Sequence, residues 1–233
     1  MAQIYKAEDR GTHSTSWLES HHTFSFGNFH DANRMGYRNL RVINDDQIAP
    51  AGGFGLHGHN DMEIITYVTS GAIGHKDSLG NGSVIRPGEI QRMSAGTGIR
   101  HSELNASRTE PVHLLQIWIE PDKSDYLPSY EQVELIDKVG RQGFTEIASQ
   151  NGGIGAISLN QNATLSVSKP IAGERVEAVV DAGRYGFLHI VHGEIEINGE
   201  TLKMGDSLAF DETDSPLDVA ALRNAEMLFF DLP

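Results

Sequence analysis

The sequence predicts an all-β protein made of two similar halves, each a barrel or sandwich of short antiparallel strands. Three observations point there. Turn-forming residues are dense, with 25 Gly and 8 Pro in 233 residues, and short β-branched and aromatic runs lie between them. Long stretches with the 3.6-residue period of an amphipathic helix are missing. A hairpin signature occurs once in each half, as an internal duplication would leave it.

Leu40-Arg-Val-Ile43, Glu63-Ile-Ile-Thr-Tyr-Val68 and Leu114-Leu-Gln-Ile-Trp-Ile119 are rich in residues that pack well on a pleated surface, and each is read as a strand. Tyr130 to Val139 offers at most a short connecting helix. In the first half, Tyr67-Val-Thr-Ser-Gly71 leads through Gly82-Ser-Val-Ile85 to Pro87-Gly-Glu89; in the second, Ile190-Val-His-Gly193 leads through Glu194-Ile-Glu-Ile-Asn-Gly199 to Gly205-Asp206. Both read as strand, turn, strand, tight turn. Ile195 and Ile197 followed by Asn198-Gly199 form the clearest hairpin, because alternating apolar residues meet the dipeptide that a type I′ turn requires. The Pro-, Asp- and Ser-rich stretch Pro121–Pro128 sets the expected boundary, giving an N-terminal domain at 1–124 and a C-terminal domain at 125–233.

Composition narrows the chemistry. Eighteen basic against 32 acidic residues give a net charge of −14, which repels a phosphate backbone and disfavours direct nucleic-acid binding. No apolar run reaches membrane length, and the opening Met1-Ala-Gln-Ile-Tyr-Lys-Ala-Glu-Asp-Arg-Gly11 lacks a secretory pattern, so a cytoplasmic location without membrane contact is expected. Cysteine is absent, which removes disulfides, thiolate zinc sites, iron-sulfur clusters and thiol nucleophiles. A transition metal would have to be held by imidazole and carboxylate, and there are 11 histidines.

Nine of those histidines precede the boundary. In Gly55-Leu-His57-Gly-His59 the two imidazoles are two residues apart, so on an extended strand both point to one face. His101-Ser-Glu103 repeats that geometry. Together they offer three nitrogen donors and one carboxylate oxygen, a set suited to Fe(II), Mn, Co, Ni or Cu with positions left for water or substrate. Glu63, four residues after His59, competes with Glu103 for the fourth position; its alternative is to accept a hydrogen bond from a ligand imidazole. His21, His22 and His30 are read as exposed or loop-bonded, His75 and His113 as strand-surface residues, and Phe24, Phe26 and Phe29 as core rather than substrate-stacking. A placement of His13 and His22 across the barrel mouth is the less favoured reading.

These residues carry a family resemblance. Gly55-x-His57-x-His59-x-x-x-Glu63 followed by Gly98-x-x-His101-x-x-x-Asn105 resembles the paired metal motif of the cupin superfamily, with the step from Glu63 to Gly71 one residue longer than usual. More narrowly, the chain resembles the pirin family through His22-Thr-Phe-Ser-Phe-Gly-Asn-Phe29, Arg41-Val-Ile-Asn-Asp-Asp46, His57-Gly-His-Asn-Asp-Met-Glu63, Ser94-Ala-Gly-Thr-Gly-Ile-Arg-His-Ser-Glu103, Gln116-Ile-Trp-Ile119 and Phe230-Asp-Leu-Pro233. The bacterial pirin-like quercetin 2,3-dioxygenases are the most similar group. Gly58 stands where pirins often carry proline.

The resemblance implies a bicupin of two stacked antiparallel β-barrels with metal in the N-terminal one only. It implies that His57, His59, His101 and Glu103 bind one divalent transition metal, Fe(II) first and Mn, Co, Ni, Cu or Zn as alternatives. Anchoring the halves on Gly71/Gly193 and Gly88/Gly205 sets Val179 and Asp181 opposite His57 and His59, and Asp218 opposite His101. The implied activity is cleavage of a flavonol such as quercetin by O2 with release of carbon monoxide, Glu103 being a ligand that doubles as the catalytic base and Glu63 the less favoured alternative base. The alternative is an iron-binding regulatory module that modulates a protein partner according to the metal's redox state. An open apolar pocket above His57 and His101 favours the enzyme, a sealed site the switch.

Overall fold

The computed structural model describes residues 2–135 and 143–233. Helical structure among them is limited to one 3-10 turn at Ala7–Asp9, and the rest of the regular structure is antiparallel strand. The chain forms two compact units: one comprises Arg10–Leu135 and Ile157–Gln161, the other Met1–Asp9, Ile136–Ala156 and Asn162–Pro233.

In the first unit a seven-stranded sheet runs in the spatial order Ser129–Glu134, Glu89–Ser94, Glu63–Ser70, Val112–Ile119, Leu40–Ile48, Leu18–His22 and Gly11–Ser14; a four-stranded sheet runs Gly53–His59, Ile99–Asn105, Ile73–Asp77, Gly82–Ile85. The second unit repeats both orders. Its larger sheet begins Gln3–Tyr5, Ser207–Asp211, Tyr185–His192, Glu226–Leu232, Thr164–Ser168, and its four-stranded sheet runs Arg175–Ala178, Leu217–Ala221, Glu194–Ile197, Glu200–Lys203. The duplication read from the hairpins is therefore a duplication of topology, and the fold is the bicupin of paired barrels.

Gly71 and Gly193 show why the hairpins recur. Both have positive φ, 75° and 84°. A Cβ on Gly71 would stand 2.5 Å from the Pro111 carbonyl oxygen, and one on Gly193 2.2 Å from that of Asn224, so glycine meets a turn requirement and a steric one together. Asn198 and Gly199 have φ of 52° and 79°, as the type I′ reading requires.

The units are drawn differently from a cut at 124/125. Ser129–Glu134 pairs in register with Glu89–Ser94, from Ser129↔Ser94 to Glu134↔Glu89, so its backbone groups are satisfied in the first unit and the chain stays there to Leu135. The same pairing replaces the start of the helix expected from Tyr130 to Val139; residues 136–139 lie outside the described residues. Residues 2–9 go the other way: Gln3–Tyr5 pairs with Ser207–Ala209, and Asp206 Oδ1 accepts the Ala7 N–H at 2.7 Å.

Each unit buries its own core. Val176, Leu188, Ile195, Leu217 and Phe229 belong to one cluster in the second unit. The first unit splits its apolar packing between a cluster around Ile48, Ile73 and Val112 and a smaller one around Ile64, Met93 and Ile99, with polar side chains between them.

Candidate metal centre

The strand Gly53–His59 lies beside Ile99–Asn105 with His57 directly opposite His101. Period-two alternation brings His59 to the face of His57, and brings Glu103 to that of His101. The three rings converge: centroids lie 4.4 Å apart for His57–His101, 4.9 Å for His57–His59 and 5.1 Å for His59–His101. One ligand atom from each lies within 4.8 Å of the other two.

Their protonation suits coordination. His57 donates its Nδ1–H to the Gly55 carbonyl at 2.7 Å, which leaves Nε2 as the free lone pair. Burial lowers His59 to about 4 and His101 to about 3, with the neighbouring imidazoles adding to the shift. Both are neutral near pH 7, the form that binds metal. Both ring nitrogens of His101 are buried without a hydrogen-bond partner, and buried nitrogens left this way are costly unless a ligand meets them.

Glu103 is buried beside them. Gln116 Nε2 donates to its Oε1 at 2.6 Å and the Thr66 hydroxyl lies 3.5 Å from the same oxygen. Burial pushes its carboxyl up to about 7, against the lowering effect of the Gln116 bond. It joins the cluster through His101 and His75, whose ligand atoms with its own also fall within 4.8 Å of one another.

Glu63 does not take the place expected of it. The strand carrying His57 and His59 ends at His59, Asp61 turns with φ 45°, and Glu63 opens a strand of the other sheet. Its carboxylate accepts from the Ser94 hydroxyl and from Asn160 N and Nδ2, both at 3.2 Å, with Arg92 at 3.9 Å. It bonds no imidazole and instead anchors Ile157–Gln161.

Comparison with known proteins places this geometry. The sequence profile of the pirin family matches residues 5–119. The chain belongs to the pirin family. A profile described as the quercetinase C-terminal cupin domain matches residues 146–232. Quercetin 2,3-dioxygenase of Escherichia coli K12 is 43% identical to this pirin over 234 residues, covering 100% of this chain and 99% of that one. The crystal structure of the bacterial pirin YhhW from E. coli in complex with nickel(II) superposes with a TM-score of 0.94 at 42% identity, covering 100% and 99% of the two chains. A quercetin 2,3-dioxygenase from Acinetobacter baumannii, 19% identical with a TM-score of 0.79 over 98% of this chain and 85% of that one, shares the fold.

The cluster of this pirin borders a cavity of about 370 Å³ that reaches exposed Thr12, His13 and Asn28. Trp17, Phe26, Phe54 and Trp118 wall it, Trp17 edge-on to Phe54 and Phe26 edge-on to Trp118. The chain's two tryptophans both lie here. Phe26 and Phe29 therefore line the cavity rather than pack in the core, which Phe24 does. His13 and His22 reach the cavity too, against the duller reading for His22, whose side chain is buried against Asn44.

His75 is also inside, not at the strand surface. It is 1% exposed, its Nε2 is 3.1 Å from Asp77 Oδ2, its Nδ1 is buried and unpartnered, and its ring lies 5.3 Å from that of His101. The signal was available: Ile73, His75 and Asp77 alternate, and Ile73 marks their face as inward. His113 is half-buried, bonded to Asp45 and Thr69.

Strand pairing also corrects the register between the halves. Ile73 and Ile195 stand two residues after Gly71 and Gly193; they pair with Asn105 and Ala221, so His101 corresponds to Leu217, four residues back on each strand. Through the next strand His57 corresponds to Ala178. Asp218 is one residue out of step and faces outward, bound to Arg175. Among the described residues, both groupings able to hold a metal fall in the first unit.

Proposed function

We propose that this pirin is a cytoplasmic metal-dependent dioxygenase that opens a flavonol such as quercetin with O2 and releases carbon monoxide, its ion held by His57, His59, His101 and Glu103. The observation that carries the reading is the pair of unpartnered, buried nitrogens of His101 beside an aromatic-walled cavity. The donor set fits a divalent transition metal, with Fe(II) the first reading and nickel(II), present in the E. coli pirin structure, next. When bound, such an ion would supply Lewis acidity that eases deprotonation of an enol.

The chain's own residues do the rest. Trp17, Phe26, Phe54 and Trp118 give a planar ring system apolar faces and exclude water around it. Glu103, steadied by Gln116, accepts the proton of the flavonol 3-hydroxyl. A cavity of about 370 Å³ lies within the ~300–1,000 Å³ typical of small-molecule sites. A metal-redox switch for a protein partner called for a sealed site, and the accessible cavity favours the enzyme.

The test follows quercetin consumption and carbon monoxide release by protein reconstituted with each divalent ion. The wild type turns over with at least one of them, and His57→Ala/His101→Ala is slower by more than about 100-fold. Equal rates in the two proteins, or none in either with every ion, would overturn the proposal.

A further inference from the structure

Across the inner face of the seven-stranded sheet, register aligns four polar side chains in one row: His22 opposite Asn44, Asn44 opposite Gln116, Gln116 opposite Thr66. Gln116 and Thr66 end the row at Glu103. At the other end a second pair lies beside it, Ser20 opposite Asp46, with the Ser20 hydroxyl donating to Asp46 Oδ1. His22, Asn44, Asp46, Ser20 and Gln116 all line the cavity. At about 4.8 Å per strand spacing, three spacings separate His22 from Thr66 by about 14 Å along the sheet.

Several of these groups are committed to one hydrogen bond and leave another unused. His22 lies 2.8 Å through Nδ1 from Asn44 Oδ1, which puts the proton on Nδ1 and leaves Nε2 as an acceptor with no bond among the described residues. Gln116 donates to Glu103 and its own Oε1 is buried without a partner. Burial lowers His22 and lifts Asp46 to about 7, so near neutral pH the imidazole is uncharged and the carboxyl can donate or accept. Buried polar groups in an apolar site call for polar partners on the ligand.

We propose that His22, Asn44 and Asp46 form a hydroxyl-reading subsite that selects a polyhydroxylated planar aromatic and fixes its orientation, engaging hydroxyls remote from the one presented to Glu103. This rests on the flavonol reading above and adds to it a basis for specificity. A site built to hydrogen-bond a hydroxyl rejects the analogue that lacks it, because its own buried groups are then left unpaired.

The experiment compares quercetin with 3-hydroxyflavone, which keeps the 3-hydroxyl and 4-carbonyl but carries no other hydroxyl. Binding to the metal-loaded protein is read from quenching of Trp17 and Trp118 fluorescence, and KM and kcat are measured in parallel. The wild type prefers quercetin by about tenfold or more. In His22→Leu and Asp46→Leu that preference shrinks severalfold, through quercetin Kd and KM, while 3-hydroxyflavone binding holds; His22→Gln, which keeps an acceptor, retains part of it. An unchanged preference, or equal weakening of both ligands, overturns the subsite and leaves the flavonol reading standing. Failure of both compounds to quench the wild type overturns the subsite and the flavonol reading together.

Discussion

The two units share strand order and turn geometry, yet at matched positions they have opposite interiors. His57, His75, His101 and Glu103 in the first correspond by register to Ala178, Ile197, Leu217 and Val219 in the second. Gln116 and Thr66, which bond Glu103, correspond to Phe229 and Leu188. The second set belongs to one continuous apolar cluster. The first leaves nitrogens of His75 and His101 and the Gln116 oxygen buried without partners. One backbone plan thus supports either a packed core or a site, and the site is the less stable filling because each unmet buried polar group costs about 1–3 kcal/mol.

Exchanging the two interiors gives the largest expected effects. His101→Leu installs the residue of the second unit; metal content by elemental analysis falls to background, while the metal-free protein gains about 1 kcal/mol in urea unfolding because two unmet nitrogens are gone. Leu217→Ala at the matching position leaves metal content unchanged and costs about 2–5 kcal/mol, as cavities in packed cores do. Retained metal in His101→Leu, or a metal-free protein strongly destabilised by it, would break the contrast.

A smaller effect separates Asp45 from its counterpart Val167, which is buried and apolar. Burial pushes the Asp45 carboxyl up, but bonds from His113 and Arg10 outweigh it and hold it well below the ordinary 3.8; the bond to Asp45 holds His113 above 6.5. The His113 contribution is full below 6.5 and fades as pH rises through its folded value, and that of Asp45 is full above 3.8 and fades as pH falls. Asp45→Asn should therefore cost about 1.5–3 kcal/mol between those limits, and less at about pH 9 than at about pH 5.5. Urea titrations at the two pH values check the order, and a larger penalty at the alkaline one would contradict it.

The least effect is expected from Arg175→Ala, which removes the exposed pair with Asp218 in the second unit. Solvent screens such a pair. Metal content and urea midpoint should match the wild type, and a change in metal content would show that the second unit supports the site in a way its register does not explain.

The parts of this contrast legible in sequence were those with a period. His57-x-His59 and His101-x-Glu103 were readable because alternate strand residues share a face wherever the strand lies. The duplication was readable because Gly71 and Gly193 meet the same turn geometry. Glu63 was misread because its face was inferred as if the strand through His59 continued, and the turn at Asp61 carries it to the other sheet. His22 and Asn44 gave no local sign of a role, since their contact spans 22 residues. The carboxyls of Asp45 and Asp46, adjacent in sequence, are shifted in opposite directions by what faces them: bonds from His113 and Arg10 lower the one, burial raises the other.

By itself, then, the sequence determined the all-β class, the repeat, the His-x-His and His-x-Glu spacings proposed to hold the metal and the exclusion of sulfur chemistry, because alternation, turn residues and composition act locally. Tertiary structure alone decided that Ser129–Glu134 belongs to the first unit and Gln3–Tyr5 to the second, that His75 is buried beside His101, and that an aromatic cavity with a row of polar side chains adjoins the donors. Those outcomes depend on which strands pair across long stretches of chain, a non-local choice that settles where every backbone hydrogen bond is satisfied and which face of each strand is enclosed.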